Sequence, residues 1–79
     1  MSKLKYKITL YQGDVEAVFR LTESEFKGAK WIMDRGNNYN FEWFAWADYE
    51  LSPSKRGRFN SLFDYHKDRI FCLDWSEIN

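Results

Sequence analysis

Phe41-Glu42-Trp43-Phe44-Ala45-Trp46-Ala47-Asp48-Tyr49-Glu50-Leu51 is the stretch whose reading decides the fold. Its odd positions, Phe41, Trp43, Ala45, Ala47, Tyr49 and Leu51, can all face a core. A period of two is the signature of a strand with one buried face. The even positions then point outward, and among Glu42, Asp48 and Glu50 stand two large rings, Phe44 and Trp46. The spacing predicts an aromatic strand whose outer rings belong to a binding surface.

Upstream, Leu4–Gln12 and Val15–Leu21 alternate in the same way, separated by Gly13-Asp14. Glycine accepts the positive φ of a two-residue hairpin turn. Pairing Gln12 with Val15 sets Leu10 against Ala17, Ile8 against Phe19 and Tyr6 against Leu21, all on one face. A slip of one residue destroys that agreement. The same register sets Lys7 opposite Arg20 on the outer face, an unfavourable pair unless an acid or a bound anion lies nearby. Glu42 or Asp48 on an adjacent strand would supply the acid; otherwise the pair belongs to an anion-binding surface.

Thr22 followed by Glu25 is a capping box, with Leu21 and Phe26 at the staple positions. Phe26, Ala29 and Met33 form a stripe with Ile32 at its edge, Lys30 and Asp34 can pair, and Gly36 is a stop signal. These signals predict a helix over Glu23–Arg35, slightly weakened by Gly28. Trp31 points away from the stripe, either as a lid on the Asn37–Asn40 loop or as a binding anchor.

Downstream, residues 52–58 read as a polar, basic, mobile loop carrying Lys55, Arg56 and Arg58. Phe59, Leu62, Phe63 and His66 have the spacing of a short helical turn, although a strand leading into the last segment fits as well. Arg69–Trp75 reads as a strand with Phe71, Leu73 and Trp75 inward and Ile70 and Cys72 outward. Residues 76–79 should fray. The expected fold is α+β: one domain over residues 1–79, an antiparallel sheet with a single full helix on one face.

Twelve Lys and Arg balance twelve Asp and Glu, so phosphate contacts alone are a poor basis for function. Four Trp, five Tyr and seven Phe give so short a chain the means to build a core. Cys72 is the only cysteine, which excludes an internal disulfide and suits a reducing compartment. No apolar run reaches the length of a membrane span or signal peptide, which predicts a cytoplasmic protein, in a host cell if the gene is mobile.

Chemistry finds little footing. His66 lies among Asp64, Tyr65 and Asp68, and Ser61 and Cys72 could partner it, yet no nucleophile motif surrounds either. Metal-ligand spacing and a phosphate-binding glycine loop are absent from the sequence. The expectation is no enzyme, no catalytic residue, no cofactor and no small-molecule substrate.

Binding is the better reading. Phe44 and Trp46, joined by Tyr11, Val18, Ile70 and Cys72 and rimmed by Lys7, Arg20, Glu42 and Asp48, would make an apolar patch with charged edges. That is the composition of protein interfaces. The competing arrangement lays residues 59–66 across this face and closes a second core layer. The candidate contact residues are Phe44, Trp46, Tyr11, Arg20, Lys55, Arg56 and Arg58. The three cations, with exposed rings, also suit an accessory protein that binds nucleic acid. A self-associating subunit is the third class.

The hairpin-to-helix run, Lys5-Tyr6-Lys7-Ile8-Thr9-Leu10-Tyr11 followed by Phe19-Arg20-Leu21-Thr22-Glu23-Ser24-Glu25-Phe26, resembles small proteins of phages and other mobile elements. Among these are inhibitors of host defence such as anti-CRISPR proteins. The resemblance covers the first half of the chain and transfers no site residue. It implies a protein that acts by binding and inhibiting or modulating a larger host protein, such as a defence nuclease.

Overall fold

Gly13, at φ 59°, turns the chain between β1 (Leu4–Gln12) and β2 (Val15–Thr22). The computed structural model, which describes residues 3–78, pairs Gln12 with Val15, Leu10 with Ala17, Ile8 with Phe19 and Tyr6 with Leu21. This is the register the sequence predicts. Ile8, Leu10, Phe19 and Leu21 are almost wholly buried on the inner face.

The third strand, β3 (Phe71–Glu77), adds antiparallel to β1, giving the order β2-β1-β3. Its register slips between Thr9 and Leu10, so that Asp74 faces Thr9, Cys72 faces Leu10 and Leu73 is the extra residue. A bulge reverses the alternation on one side of it. Trp75 therefore lies inward as expected, against Phe26 and Tyr6. Before the bulge the expected faces are exchanged: Cys72 packs on the core, Phe71 stacks on outward Tyr11, and Leu73 is 58% exposed. Ile70, expected outward, is fully buried. Ser76 and Glu77, expected to fray, pair with Lys7 and Tyr6, whereas Asn79 lies outside the described residues.

Helix α1 (Glu23–Arg35) begins at the predicted capping box and ends at Gly36, φ 68°, whose N–H returns to the Met33 carbonyl. Its buried face is Phe26, Ala29 and Ile32, with Met33 at the edge, one step round from the expected stripe.

The stretch expected as an aromatic strand is a helix, α2 (Asn40–Glu50). Trp43, Trp46 and Ala47 have the i, i+3, i+4 spacing of one helical face, and all three are buried. The basic segment is no loop. Ser52 precedes Pro53 at the first position of α3 (Pro53–Leu62), where the missing N–H of proline is harmless. The expected turn at 59–66 is thus the end of a longer helix and the start of a loop, with Phe59 and Phe63 buried.

The architecture is α+β, with three helices instead of one on the inner face of the sheet. Both α1 and α3 touch strands, and α2 packs against those two helices. Two amides fix the loop between α3 and β3. Gln12 donates to the Asp64 and Asp68 carbonyls and accepts from the Asp64 N–H. Asn40 donates to the Tyr65, Lys67 and Asp68 carbonyls and accepts from the Ile70 N–H.

Residues 36–39 turn α2 back along α1, so that Gly28 meets Trp46 and Glu50. A Cβ at Gly28 would stand 2.7 Å from Trp46 Cδ1 and 2.9 Å from Glu50 Oε1. The Trp46 ring cannot yield easily, because its indole N–H donates to the Glu25 carbonyl at 2.8 Å. In an unhindered helix Gly→Ala gains about 1 kcal/mol, but overpacking costs about 1–3 kcal/mol. Gly28→Ala should therefore lower the urea midpoint. A raised midpoint would show that α1 and α2 do not meet here.

Candidate functional site

The sequence-predicted contact residues do not come together. Trp46 is a core residue, 4% exposed, packed edge-on against Trp43 at 5.4 Å. Phe44 is half-buried between Phe59 and Tyr65, at 5.0 and 5.3 Å. Both lie on the helical side of the sheet. Tyr11 and Arg20 are on the opposite, outer face, as the hairpin register requires. The expected patch across Phe44, Trp46 and Tyr11 therefore does not form, because its α2 half belongs to a helix rather than a strand.

Glu42 and Asp48 also lie on α2 and cannot neutralise Lys7 and Arg20. Among the described residues neither cation forms a salt bridge. The like-charged pair stands on the same open sheet face as the Tyr11–Phe71 stack, four residues away along β1.

Lys55, Arg56 and Arg58 are structural anchors of α3. Lys55 Nζ pairs with the buried Glu25 carboxylate. Arg56 Nη2 donates to the Leu51 carbonyl at 3.3 Å. Arg58 donates to the Val18 carbonyl at the edge of β2 and lays its guanidinium 4.6 Å from the centre of the Phe19 ring.

His66 is exposed on the loop, with its backbone N–H held by Asp64 Oδ1. The Ser61 hydroxyl donates to the Arg58 carbonyl. Burial pushes the Cys72 thiol up to about 11, and a neighbouring Asp74 adds to that rise, so it is not a ready nucleophile at neutral pH.

A groove of about 590 Å³ runs between α1 and α2, and a second hollow of about 560 Å³ lies between α1 and Tyr6. Buried Ile32 and Trp46 line the α1–α2 groove with Ala45. Around it stand Trp31, Phe41 and Tyr49, which are 52%, 67% and 88% exposed. Phe41, Ala45 and Tyr49 are four apart, a ridge along the side of α2 opposite its buried face. Glu42, Glu50 and Lys27 supply the charges. Trp31 already carries one cation, the Arg35 guanidinium, 4.3 Å from its ring centre.

The sequence reading weighs Trp31 as a lid or an anchor without placing it among the contact residues, and it misses Phe41 and Tyr49. Their i, i+8 spacing around a small residue was the available signal, and the strand reading turned both inward. No family model, curated protein or solved structure matches this chain. No helix among the described residues is long and apolar enough to cross a membrane.

These placements give the four tryptophans different exposures. In a variant with Trp31→Phe and Trp75→Phe, the remaining emission comes from Trp43 and Trp46, and acrylamide should quench it weakly. Strong quenching of that pair would return Trp46 to the surface.

Proposed function

We propose that this chain is a non-enzymatic binding protein that attaches to a larger protein through the α1–α2 groove and inhibits or modulates it. The observation that carries this reading is the grouping of Trp31, Phe41 and Tyr49, all largely exposed, around one groove. Exposed rings gathered on a rigid surface are the usual anchors of protein interfaces. Because α1 and α2 are packed helices, docking would order little new structure, and binding would lose little to entropy. Inhibition would then be steric, or capture of the target in an inactive state. The resemblance of the first half to small mobile-element proteins favours a cytoplasmic host target such as a defence nuclease.

A second reading, nucleic-acid binding, is supported by Lys7 and Arg20 on the same open sheet face as the Tyr11–Phe71 stack. It has lost the support of Lys55, Arg56 and Arg58, which are engaged within the fold.

Affinity capture from native host cells separates the two. Phe41→Ala with Tyr49→Ala should keep the fold within about 0.5 kcal/mol, since neither ring is buried. It should weaken partner capture by about 2 kcal/mol or more. Lys7→Glu with Arg20→Glu should leave capture intact. The reverse pattern, with binding that collapses as salt is raised, would favour the nucleic-acid reading.

A further inference from the structure

We infer that the occupant of the groove is a basic amphipathic helix, one that sets lysine or arginine side chains beside its apolar anchors. This rests on the docking reading above and concerns the chemistry of the partner. Helix α2 carries Glu42, Asp48 and Glu50 and no basic residue. Among the described residues none of these three acids forms a salt bridge. Glu42 and Glu50 line the groove against a single lysine, Lys27, so its lining is net negative by one charge.

The rings fit the same occupant. An aromatic face attracts a cation and also packs against apolar side chains. Arg35 over Trp31 shows that this rim takes a guanidinium within the chain itself. Glu42 and Glu50 are two helical turns apart, about 12 Å along α2. Cations seven or eight residues apart on a partner helix would span that distance while its leucine-like anchors met Phe41 and Tyr49.

The charges disfavour two other occupants. A second copy docking α2 on α2 would bring Glu42, Asp48 and Glu50 against their equivalents. A nucleic acid would meet the same acids with its phosphates.

The test uses the full chain, isotope-labelled for NMR, titrated with two peptides of about fourteen residues, long enough for four helical turns. One places leucine and lysine at amphipathic helical spacing; the other replaces every lysine by glutamate. The lysine peptide should shift resonances around the groove, and Glu42→Gln with Glu50→Gln should weaken it on the order of tenfold or more. The glutamate peptide should not bind. Equal binding of both peptides, or no effect of the glutamine variant, overturns the charge assignment while the aromatic docking reading stands. Shifts scattered over the whole surface, or none from either peptide, overturn the inference. The Phe41→Ala, Tyr49→Ala capture experiment then judges the docking reading separately.

Discussion

The carboxylate of Glu25 is the constraint on which the helical layer depends. Its residue is 5% exposed, yet it stays charged because donors from two helix starts meet it. Oε1 accepts from the Thr22 N–H at the beginning of α1, and Oε2 from the Ser52 N–H at the beginning of α3. Lys55 on α3 completes the pair. The backbone carbonyl of the same residue holds the Trp46 indole of α2. One position thus ties three helices, and it satisfies amides that would otherwise be orphaned at two N-termini. Burial alone would raise this carboxyl; the hydrogen bond from Lys55 and those from the Thr22 and Ser52 amides outweigh it and hold it below its ordinary value.

With the helices fixed on one face, the two surfaces of the molecule acquire different characters. The sheet keeps an open outer face, where Lys7 and Arg20 form no salt bridge among the described residues. On the helical side, Gly28 lets α2 come so close that Trp46 enters the core. The opposite ridge of α2, Phe41 and Tyr49, is then left in solvent. The exposed rings follow from the packing of the buried ones. Gln12 and Asn40 complete the structure by pinning the loop that delivers buried Ile70 and then β3 to the sheet.

What was legible in the sequence was what is local. The hairpin register follows from alternation in two adjacent segments, and α1 from its capping box and its glycine stop. Helix α2 was misread because its odd positions are all apolar, so a perfect period of two masked Trp43, Trp46 and Ala47. Aromatic residues suit strands and helices alike, and the arbiter was tertiary: the contact of Trp46 with Glu25 and Gly28. Pro53 reads as a break in the sequence, yet it opens a helix. The bulge at Leu73 left no local mark, and it exchanged the faces of Phe71 and Cys72. The candidate site suffered with α2, since inverting the faces of one helix exchanged the exposed and buried rings. Trp31, on a helix whose bounds the sequence predicts, points away from the buried face as expected.

The direct measurement is the pH dependence of stability in the wild type and in Glu25→Gln, each followed by urea unfolding. A carboxyl held below its ordinary value contributes fully above that value and loses its contribution as pH falls through and below it. Glutamine keeps the shape of the side chain and removes the charge-assisted bonds. The wild type should exceed the variant by about 2 kcal/mol at pH 7. That gap should close as the pH falls through and below 4.5, the ordinary value for this group. Equal stability at pH 7, or a gap that does not change with pH, would contradict the claim that this one ionised carboxylate ties the starts of α1 and α3 together.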